Sequence, residues 1–442
     1  MKILHYALGF PPYRTGGLTK YCTDLMLTQK EQGHGVALLW PGRMCLISKN
    51  IKIKKRKDWN GIGSFEVINP LPVSLDEGIV DIEAYTKTVN GLVYERFLKL
   101  FEPDIIHIHS LMGLHKEFLE IANNRKIRIV FTSHDYFGIC PKVVLFHDNK
   151  ICDDDHDCSD CVECNRTALS LKKIVVLQSH VYRLLKNSLF VKLLRRRHRQ
   201  KFFDGRAVTK KGTVNTTKTA LDYQKLRQYY VSMLEMMDII HFNSYISQKV
   251  YEKYVHPQNS MVVPISHRDI KDHRCLKNFD HDTLKITYLG PPKPYKGFQF
   301  CLSILDKLWD MEIRNFELNI YSETPVNKPY IVHKQNGYQY NQLKEIFDNT
   351  DLLIAPSQWY ETFGFTVLEA LSYGVPVIVS DKVGAGDVVR TGSMGLISCN
   401  EEMLNHIRKI CKNREQLIIW NRNILSWKLY SIDCVEQCYI AN

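Results

Sequence analysis

The sequence predicts an α/β protein made of two doubly wound domains. Its 442 residues exceed what one ordinary core holds and suit two domains of roughly 150 to 250 residues each. Short apolar runs alternate with helical patterns, which is typical of parallel sheets flanked by helices. This alternation occurs in two series, separated by a polar, aperiodic stretch at 264–282. The runs predicted as strands lie at 2–8, 35–40, 105–110 and 127–133 in the first series, and at 284–290, 316–321, 352–356 and 375–380 in the second.

The two series predict a Rossmann-like domain over 1–270, a second one over 271–424 and a terminal helical segment over 425–442. A basic, helix-rich insertion interrupts the first domain at about 140–230. Within it, residues 171–203 carry ten lysines and arginines among Ile, Val, Leu and Phe, which predicts an element at an anionic membrane surface. The alternative is a solvated helix whose apolar face packs on its own domain. Nucleic acid is disfavoured as a partner because no nucleic-acid-binding module accompanies the charge.

The composition is that of a globular protein, with 45% hydrophobic and 24% charged residues. The formal net charge of +12 favours polyanionic partners such as anionic lipid or phosphorylated substrates. No apolar run reaches the ~18 residues that would span a bilayer. The apolar run at 2–8 is short and contains His5, so it is predicted to be a buried strand and not a signal peptide. Most of the thirteen cysteines are scattered, which favours a reducing cytoplasm.

The most informative segment contains two glutamates, Glu361 and Glu369, around a turn that opens a helix. A buried strand precedes the turn, so the loop lies at the carboxyl end of a strand and the N-terminus of a helix, where α/β proteins bind ligands and anions. This arrangement indicates a nucleotide sugar with its diphosphate on the amides of Phe363, Gly364 and Phe365. Glu369 would bind the ribose diol and Glu361 the sugar hydroxyls. The alternative is a pair of solvated glutamates beside an ordinary turn.

Two further features follow predicted strands in the first domain. The glycines Gly16 and Gly17 lie between a strand and a helical pattern, where amides can approach a charged group closely; such turns are also often purely structural. Histidines follow two other strands, at His107, His109 and His134. A lone histidine is usually a satisfied structural residue, and His107 is interpreted in that way.

The stretch 351–380 resembles the donor-binding signature of the family 4 retaining glycosyltransferases. The resemblance is carried by Pro356-Ser357, by Glu361-Thr-Phe-Gly-Phe365, by Glu369-Ala-Leu371 and by Gly374-Val-Pro-Val-Ile378. It implies a GT-B fold, in which two Rossmann-like domains face an interdomain cleft and the last helix returns to the N-terminal domain. It also implies that Glu361 contacts the transferred sugar and Glu369 the ribose, with Thr362 in the same donor loop.

The same resemblance assigns roles in other loops. Gly16 and Gly17 match the glycine loop that faces the donor diphosphate, and His134 matches a histidine beside the reacting sugar. Lys296 matches the lysine of a basic pair for the leaving diphosphate. The residue after Gly290, usually arginine in the family, is proline here, and Lys293 is predicted to supply the missing charge.

A cysteine cluster lies in the insertion. The spacing Cys158-x2-Cys161-x2-Cys164, with two more cysteines upstream, supports tetrahedral thiolate coordination of a structural zinc ion. An iron–sulfur cluster and uncoordinated thiols are the alternatives. A branch of the resembling family has a similar pattern, which favours Cys140, Cys152, Cys158 and Cys161 as ligands and leaves Cys164 as the alternative.

Together these features predict a retaining, metal-independent hexosyltransferase that needs no cofactor for catalysis. Its donor is expected to be a nucleoside diphosphate sugar, UDP on family frequency. Its acceptor is expected to be a glycan hydroxyl, lipid-linked, in surface polysaccharide synthesis at the inner face of the plasma membrane. The alternatives are a nucleotide-sugar epimerase or a phosphorylase on the same fold, and a non-catalytic membrane-associated scaffold.

Overall fold

A computed structural model describes residues 1–45, 48–74, 78–152, 157–185, 188, 191, 193 and 219–433. The chain divides into two compact units. The first unit contains Met1–Val144, Asp153–Ile240 and Tyr254–Asn259; the second contains Leu145–Cys152, His241–Lys253 and Ser260–Asn442.

The first sheet has eight strands in the order β10-β9-β6-β5-β1-β2-β4-β3. The pairs β1–β2, β1–β5, β2–β4 and β5–β6 are parallel, and β3 runs antiparallel to β4. A separate two-stranded ribbon pairs β7 with β8. The strands to this point are β1 Lys2–Tyr6, β2 Gly35–Pro41, β3 Lys52–Trp59, β4 Ile62–Ile68, β5 Ile105–Ile108, β6 Arg128–Ser133, β7 Phe146–His147, β8 Lys150–Ile151, β9 Ile239–Phe242 and β10 Ser260–Val262.

The second sheet has six strands, all parallel, in the order β13-β12-β11-β14-β15-β16. This is the strand order of a Rossmann fold, with the reversal of order between β11 and β14. Its strands are β11 Leu284–Tyr288, β12 Phe316–Ile320, β13 Ile331–His333, β14 Leu352–Ala355, β15 Val377–Ser380 and β16 Gly395–Ser398.

Helices connect the strands. Through residue 251 the described helices are α1 Gly17–Glu31, α2 Ile82–Tyr85, α3 Leu92–Phe101, α4 Lys116–Asn124, α5 Cys161–Cys164, α6 Leu171–Leu177, α7 His180–Leu185, α8 Ala220–Leu234 and α9 Tyr245–Tyr251. Beyond it they are α10 Phe298–Asp310, α11 Leu343–Asp348, α12 Phe365–Ser372, α13 Gly386–Gly392, α14 Asn400–Lys412 and α15 Glu415–Ser426. None of the described helices is both long and apolar enough to cross a bilayer.

The central strands are apolar because helices cover both faces of each sheet. Leu284, Ile286 and Leu352 are buried in one core with Phe298, Leu305 and other side chains of the second unit. Continuous apolar runs, without polar alternation, are the pattern of such doubly covered parallel strands. The predicted pair of α/β domains with parallel sheets is therefore confirmed.

Three details differ from the sequence prediction or lie beyond it. Strand β3 was not predicted, because its charged sequence has no apolar run, and β4, β7, β8, β9, β10, β13 and β16 also lie outside the predicted runs. The terminal helical segment predicted over 425–442 begins inside α15, which ends at Ser426; residues 427–431 are not helical, and residues 434–442 lie outside the described part of the chain. Much of the basic insertion, 194–218, also lies outside it, so the prediction for that stretch rests on sequence.

Candidate functional site

The second sheet brings two loops together where its strand order reverses. Strands β11 and β14 are neighbours, and the loops that follow them run in the same direction to the same edge of the sheet. One loop carries Lys293 and Lys296, and the other carries Ser357 and Glu361. The crevice beyond the carboxyl ends of strands at a reversal point is where open α/β sheets bind their ligands.

Lys296 and Glu361 meet directly in this crevice. The Lys296 ammonium donates to Glu361 Oε1 at 2.5 Å, and the Ser357 hydroxyl donates to Glu361 Oε2 at 2.5 Å. Both side chains of the ion pair are partly buried, so water screens the pair less than it screens a surface pair. Both oxygens of the carboxylate are therefore held in a fixed position. Ser357 belongs to the sequence motif, but its contact with Glu361 was not predicted from the sequence.

Lys293 and Lys296 lie at the two ends of an aromatic pair. The Lys293 ammonium lies 5.3 Å from the ring centre of Tyr295, and that of Lys296 lies 5.0 Å from the ring centre of Trp359. The two rings contact each other edge to face, with centres 5.4 Å apart. Cation–π contacts of this kind hold ammonium groups in place without neutralising them. Both lysines thus belong to one cluster, although only Lys296 reaches Glu361.

The segment after Glu361 is fixed by its backbone. The Glu361 N–H donates to the Lys382 carbonyl, and its own carbonyl accepts from the Gly384 N–H, both at 2.9 Å. The carbonyl of Thr362 accepts from the Ser244 hydroxyl at 2.8 Å. Gly364 has a φ of 102° and directly precedes α12, so a residue with a side chain would be strained there. The first N–H groups of a helix such as α12 have no i−4 acceptor within the helix, which makes its N-terminus suitable for an anion.

Glu369 lies in α12 and is almost completely buried, with 2% of its surface exposed. Its Oε1 is 3.1 Å from His267 Nε2, whereas its Oε2 has no hydrogen-bond partner among the described residues. His267 Nδ1 is also buried without a partner in that part of the chain. Burying a carboxylate oxygen without a donor is costly, so this orphaned oxygen indicates a ligand that donates to it.

Aromatic rings surround this pair. The His267 ring lies 5.1 Å from Phe365 and 5.2 Å from Tyr340, centre to centre. Burial, together with the charge of Glu369, raises the pKa of Tyr338 well above its usual value, so this phenol stays protonated. Sequence reasoning missed His267 and both tyrosines, because His267 lies in the polar stretch interpreted as a break between domains. No local pattern marks these three residues; only the fold brings His267 to Glu369.

In the first unit, Gly16 and the histidines follow neighbouring strands of the other sheet. Gly16 has a φ of 106° and an open space where a side chain would start, and α1 begins at Gly17. His109 Nδ1 lies 3.2 Å from His134 Nε2, and the Tyr21 ring lies 4.9 Å from the His134 ring. Burial raises the pKa of the adjacent Asp135 to about 6, although the Phe137 N–H donates to it.

The structure does not bring all the predicted zinc ligands into one cluster. Cys140, Cys158 and Cys161 are buried in the first unit. The hydrogen bond that the Cys161 thiol donates to Cys158, together with burial, raises the pKa of Cys161, and Cys140 lies close enough to add to this shift. Cys152 belongs to the second unit, and Cys164 lies at the end of α5. Among the described residues, each group of three possible metal-ligand atoms within 4.8 Å of one another contains a histidine. None of these groups consists of the predicted cysteines.

Part of the chain is similar to a known protein family. Residues 269–426 match the family model "Glycosyl transferases group 1". A protein of the cps region of Klebsiella pneumoniae, of uncharacterised function, is 27% identical over 154 residues; the alignment spans 34% of this chain and 41% of that protein.

Solved structures share the fold over the full chain. WaaG, a glycosyltransferase involved in lipopolysaccharide biosynthesis, is 14% identical and covers 100% of both chains with a TM-score of 0.53. Alr3699/HepE from Anabaena, in complex with UDP, is 11% identical, with a TM-score of 0.59 and coverage of 100% and 99%. Sucrose-phosphate synthase from Thermosynechococcus elongatus is 12% identical, with a TM-score of 0.56 and full coverage of both chains. At these identities the structural matches show the fold, which is the GT-B fold.

Proposed function

Since the chain carries a glycosyl transferases group 1 domain on a GT-B fold, we propose that it is a retaining, metal-independent hexosyltransferase that uses a nucleoside diphosphate sugar. The observation that carries the proposal is the buried Glu369 carboxylate with its unfilled Oε2. A vicinal diol such as that of ribose donates two hydrogen bonds to a carboxylate, which is how Rossmann folds bind a ribose. The ribose of the donor would fill this position.

The remaining parts of the donor follow from this placement. The N-terminus of α12, with the amides from Thr362 to Phe365, suits the diphosphate. Lys296 and Lys293 supply positive charge to it, and Gly16 and Gly17 offer backbone amides in the first unit. UDP is the base we favour, because the similar HepE structure contains UDP.

The chemical step requires stabilisation of a leaving diphosphate and of an oxocarbenium-like sugar. Lys296 would neutralise the charge that develops on the diphosphate. Glu361, oriented by Lys296 and Ser357, would accept hydrogen bonds from the sugar hydroxyls, and His134 would contact the sugar. These side chains supply the charge stabilisation without a divalent ion. The acceptor hydroxyl would attack on the face from which the diphosphate leaves, which retains the configuration, and its proton would pass to the departing diphosphate oxygen.

We propose that the acceptor is a lipid-linked glycan used in surface polysaccharide synthesis. The cps-region relative and the lipopolysaccharide enzyme support this class. Helices α6 and α7 expose apolar side chains, Val176, Val181, Leu184 and Leu185, within a segment that has no acidic residue from 171 to 203. An apolar and basic surface fits an anionic membrane on the cytoplasmic side. Co-sedimentation with vesicles that contain anionic lipid, and not with neutral vesicles, tests this contact.

We also propose a structural zinc site at the cysteine cluster. Three buried thiols near one another, two of them hydrogen-bonded, fit the soft ligands that zinc prefers. Cys140, Cys158 and Cys161 would hold the ion with Cys152 or Cys164, and the sulfurs would move closer together on binding. Elemental analysis of the purified protein tests this: one zinc per chain supports the site, and its absence after expression in zinc-supplemented medium rejects it.

The function is tested by incubating the protein with UDP-, GDP- and ADP-sugars in the presence of EDTA. We expect one donor to raise the melting temperature and to be hydrolysed slowly, with release of its nucleoside diphosphate, detected by mass spectrometry. Activity that depends on added metal would contradict metal independence. An isomerised donor would indicate an epimerase, and dependence on inorganic phosphate would indicate a phosphorylase. If no donor raises the melting temperature or is hydrolysed, a non-catalytic scaffold would be favoured.

A further inference from the structure

A line of buried hydrogen bonds runs through the first unit and ends at His134. His5 Nε2 lies 2.7 Å from Gln29 Oε1, and His5 Nδ1 lies 2.9 Å from His109 Nε2. His109 Nδ1 in turn lies 3.2 Å from His134 Nε2. Gln29, His5 and His109 are each at most 1% exposed. The strands β1, β5 and β6 are neighbours in the sheet, which is why the three histidines align.

The chemistry of each group fixes the direction of these bonds. The Gln29 carbonyl oxygen can only accept, so His5 must donate from Nε2. Burial lowers the pKa of His5 to about 4, so near pH 7 its ring is neutral and has one proton. Its Nδ1 must then accept from His109 Nε2. His109 is 1% exposed, and a neutral ring that donates from Nε2 carries no second proton, so its Nδ1 accepts from His134 Nε2.

We infer that Gln29, His5 and His109 form a tautomer relay that holds the proton of His134 on Nε2 and makes its Nδ1 the acceptor nitrogen. These three are positioning residues, since they act on the sugar only through His134. This inference rests on the proposed function for its purpose: a neutral ring with a fixed acceptor nitrogen can take a hydrogen bond from a defined sugar hydroxyl. The relay itself is a property of the protein without any substrate.

Other polar groups also face this line. The His107 and His109 rings are tilted relative to each other with their centres 4.0 Å apart, and His107 Nε2 lies 2.7 Å from the Thr132 hydroxyl oxygen. The Cys22 sulfur lies within 4.8 Å of ligand nitrogens of His109 and His134, and burial raises its pKa well above the usual value, so it is a neutral thiol. Tyr21 packs on the His134 ring, and Asp135 follows His134 in sequence.

The test measures the tautomer of His134 by long-range ¹H–¹⁵N correlation in protein labelled on histidine. The His134 signals are assigned by their absence from His134→Gln. We expect the proton on Nε2 in the wild type and a mixture of both tautomers in Gln29→Leu. The matched control is Gln178→Leu, which removes a partly buried glutamine side chain that accepts from the Val73 N–H at 3.0 Å and takes no part in the bonds of His5, His109 and His134. It should leave the His134 tautomer unchanged.

Three results would overturn the relay. The first is a proton on His134 Nδ1 in the wild type, which would mean that the Gln29 amide is turned and every bond is reversed. The second is an unchanged His134 tautomer in folded Gln29→Leu. The third is a metal ion bound to the histidine nitrogens, which could then not accept hydrogen bonds. The His134 tautomer of the wild type tests the relay even if Gln29→Leu does not fold. In the transfer assay, Gln29→Leu should lower kcat by at most about tenfold, the effect of one hydrogen bond. Absence of transfer in the wild type would reject the proposed function and leave the tautomer result standing.

Discussion

Replacing Glu361 by alanine is expected to abolish sugar transfer while the protein still folds. The carboxylate is held by two donors, Lys296 and Ser357, in the crevice of the second sheet. Losing it removes the group that would bind the sugar and leaves the Lys296 ammonium without its anion. We expect turnover to fall by about 10³-fold or more, as when a group that stabilises a transition state is removed.

Lys296→Ala should also abolish transfer, because the leaving diphosphate would lose the positive charge of Lys296 that stabilises it. The matched control is Glu312→Ala, which removes a carboxylate from an exposed pair with Arg314. That pair contributes little to stability and lies on the surface, so its loss should change neither folding nor turnover. The measurements are the initial rate of nucleoside diphosphate release and the melting temperature. A rate within a few-fold of the wild type in either site variant would refute the assignment of the site.

The second large effect is expected from Gly297→Ala, which should destabilise the second unit and displace Lys296. Gly297 has a φ of 75°, and a Cβ there would lie 1.8 Å from the Pro356 carbonyl oxygen. No rotamer relieves a clash between backbone atoms, so the loops after β11 and β14 must separate. We expect a loss of about 3 kcal/mol or more, from overpacking and the left-handed backbone together.

The control for this prediction is Gly337→Ala. Gly337 also has a positive φ, 87°, but no atom lies within 4 Å of the position of its Cβ. It should therefore show only the cost of the backbone conformation, about 1–2 kcal/mol. Thermal unfolding of the two variants separates the clash from the conformation. Equal melting temperatures would show that the two loops are not in the close contact described.

Apolar runs predicted eight of the strands that the structure describes, but they missed β9, which is also buried and mostly apolar. Strands β1 and β11 fall inside the predicted runs at 2–8 and 284–290, because strands covered on both faces must be apolar. Strand β3 gave no such signal, since its side chains are mostly exposed and it is held by pairing with β4. Its existence depends on a neighbour, which local sequence does not report.

The sequence also predicted only part of the candidate site. Glu361 and Glu369 were identified because they lie in one continuous motif. His267 and Gln29 were not, because each acts through a residue far away in sequence: His267 contacts Glu369, and Gln29 contacts His5. A histidine in a polar stretch and a glutamine in a helix both resemble solvated residues until the fold shows them buried.

The central claim is that the second unit binds a nucleotide sugar through Glu369. The most direct measurement is calorimetric titration of the wild type, Glu369→Gln and the surface control Glu312→Gln with UDP, GDP and ADP. We expect one nucleotide to bind the wild type and the control equally, and to bind Glu369→Gln about 10- to 100-fold more weakly, the effect of losing hydrogen bonds to a charged group. Equal affinity for Glu369→Gln, or no binding of any nucleotide to the wild type, would contradict the account.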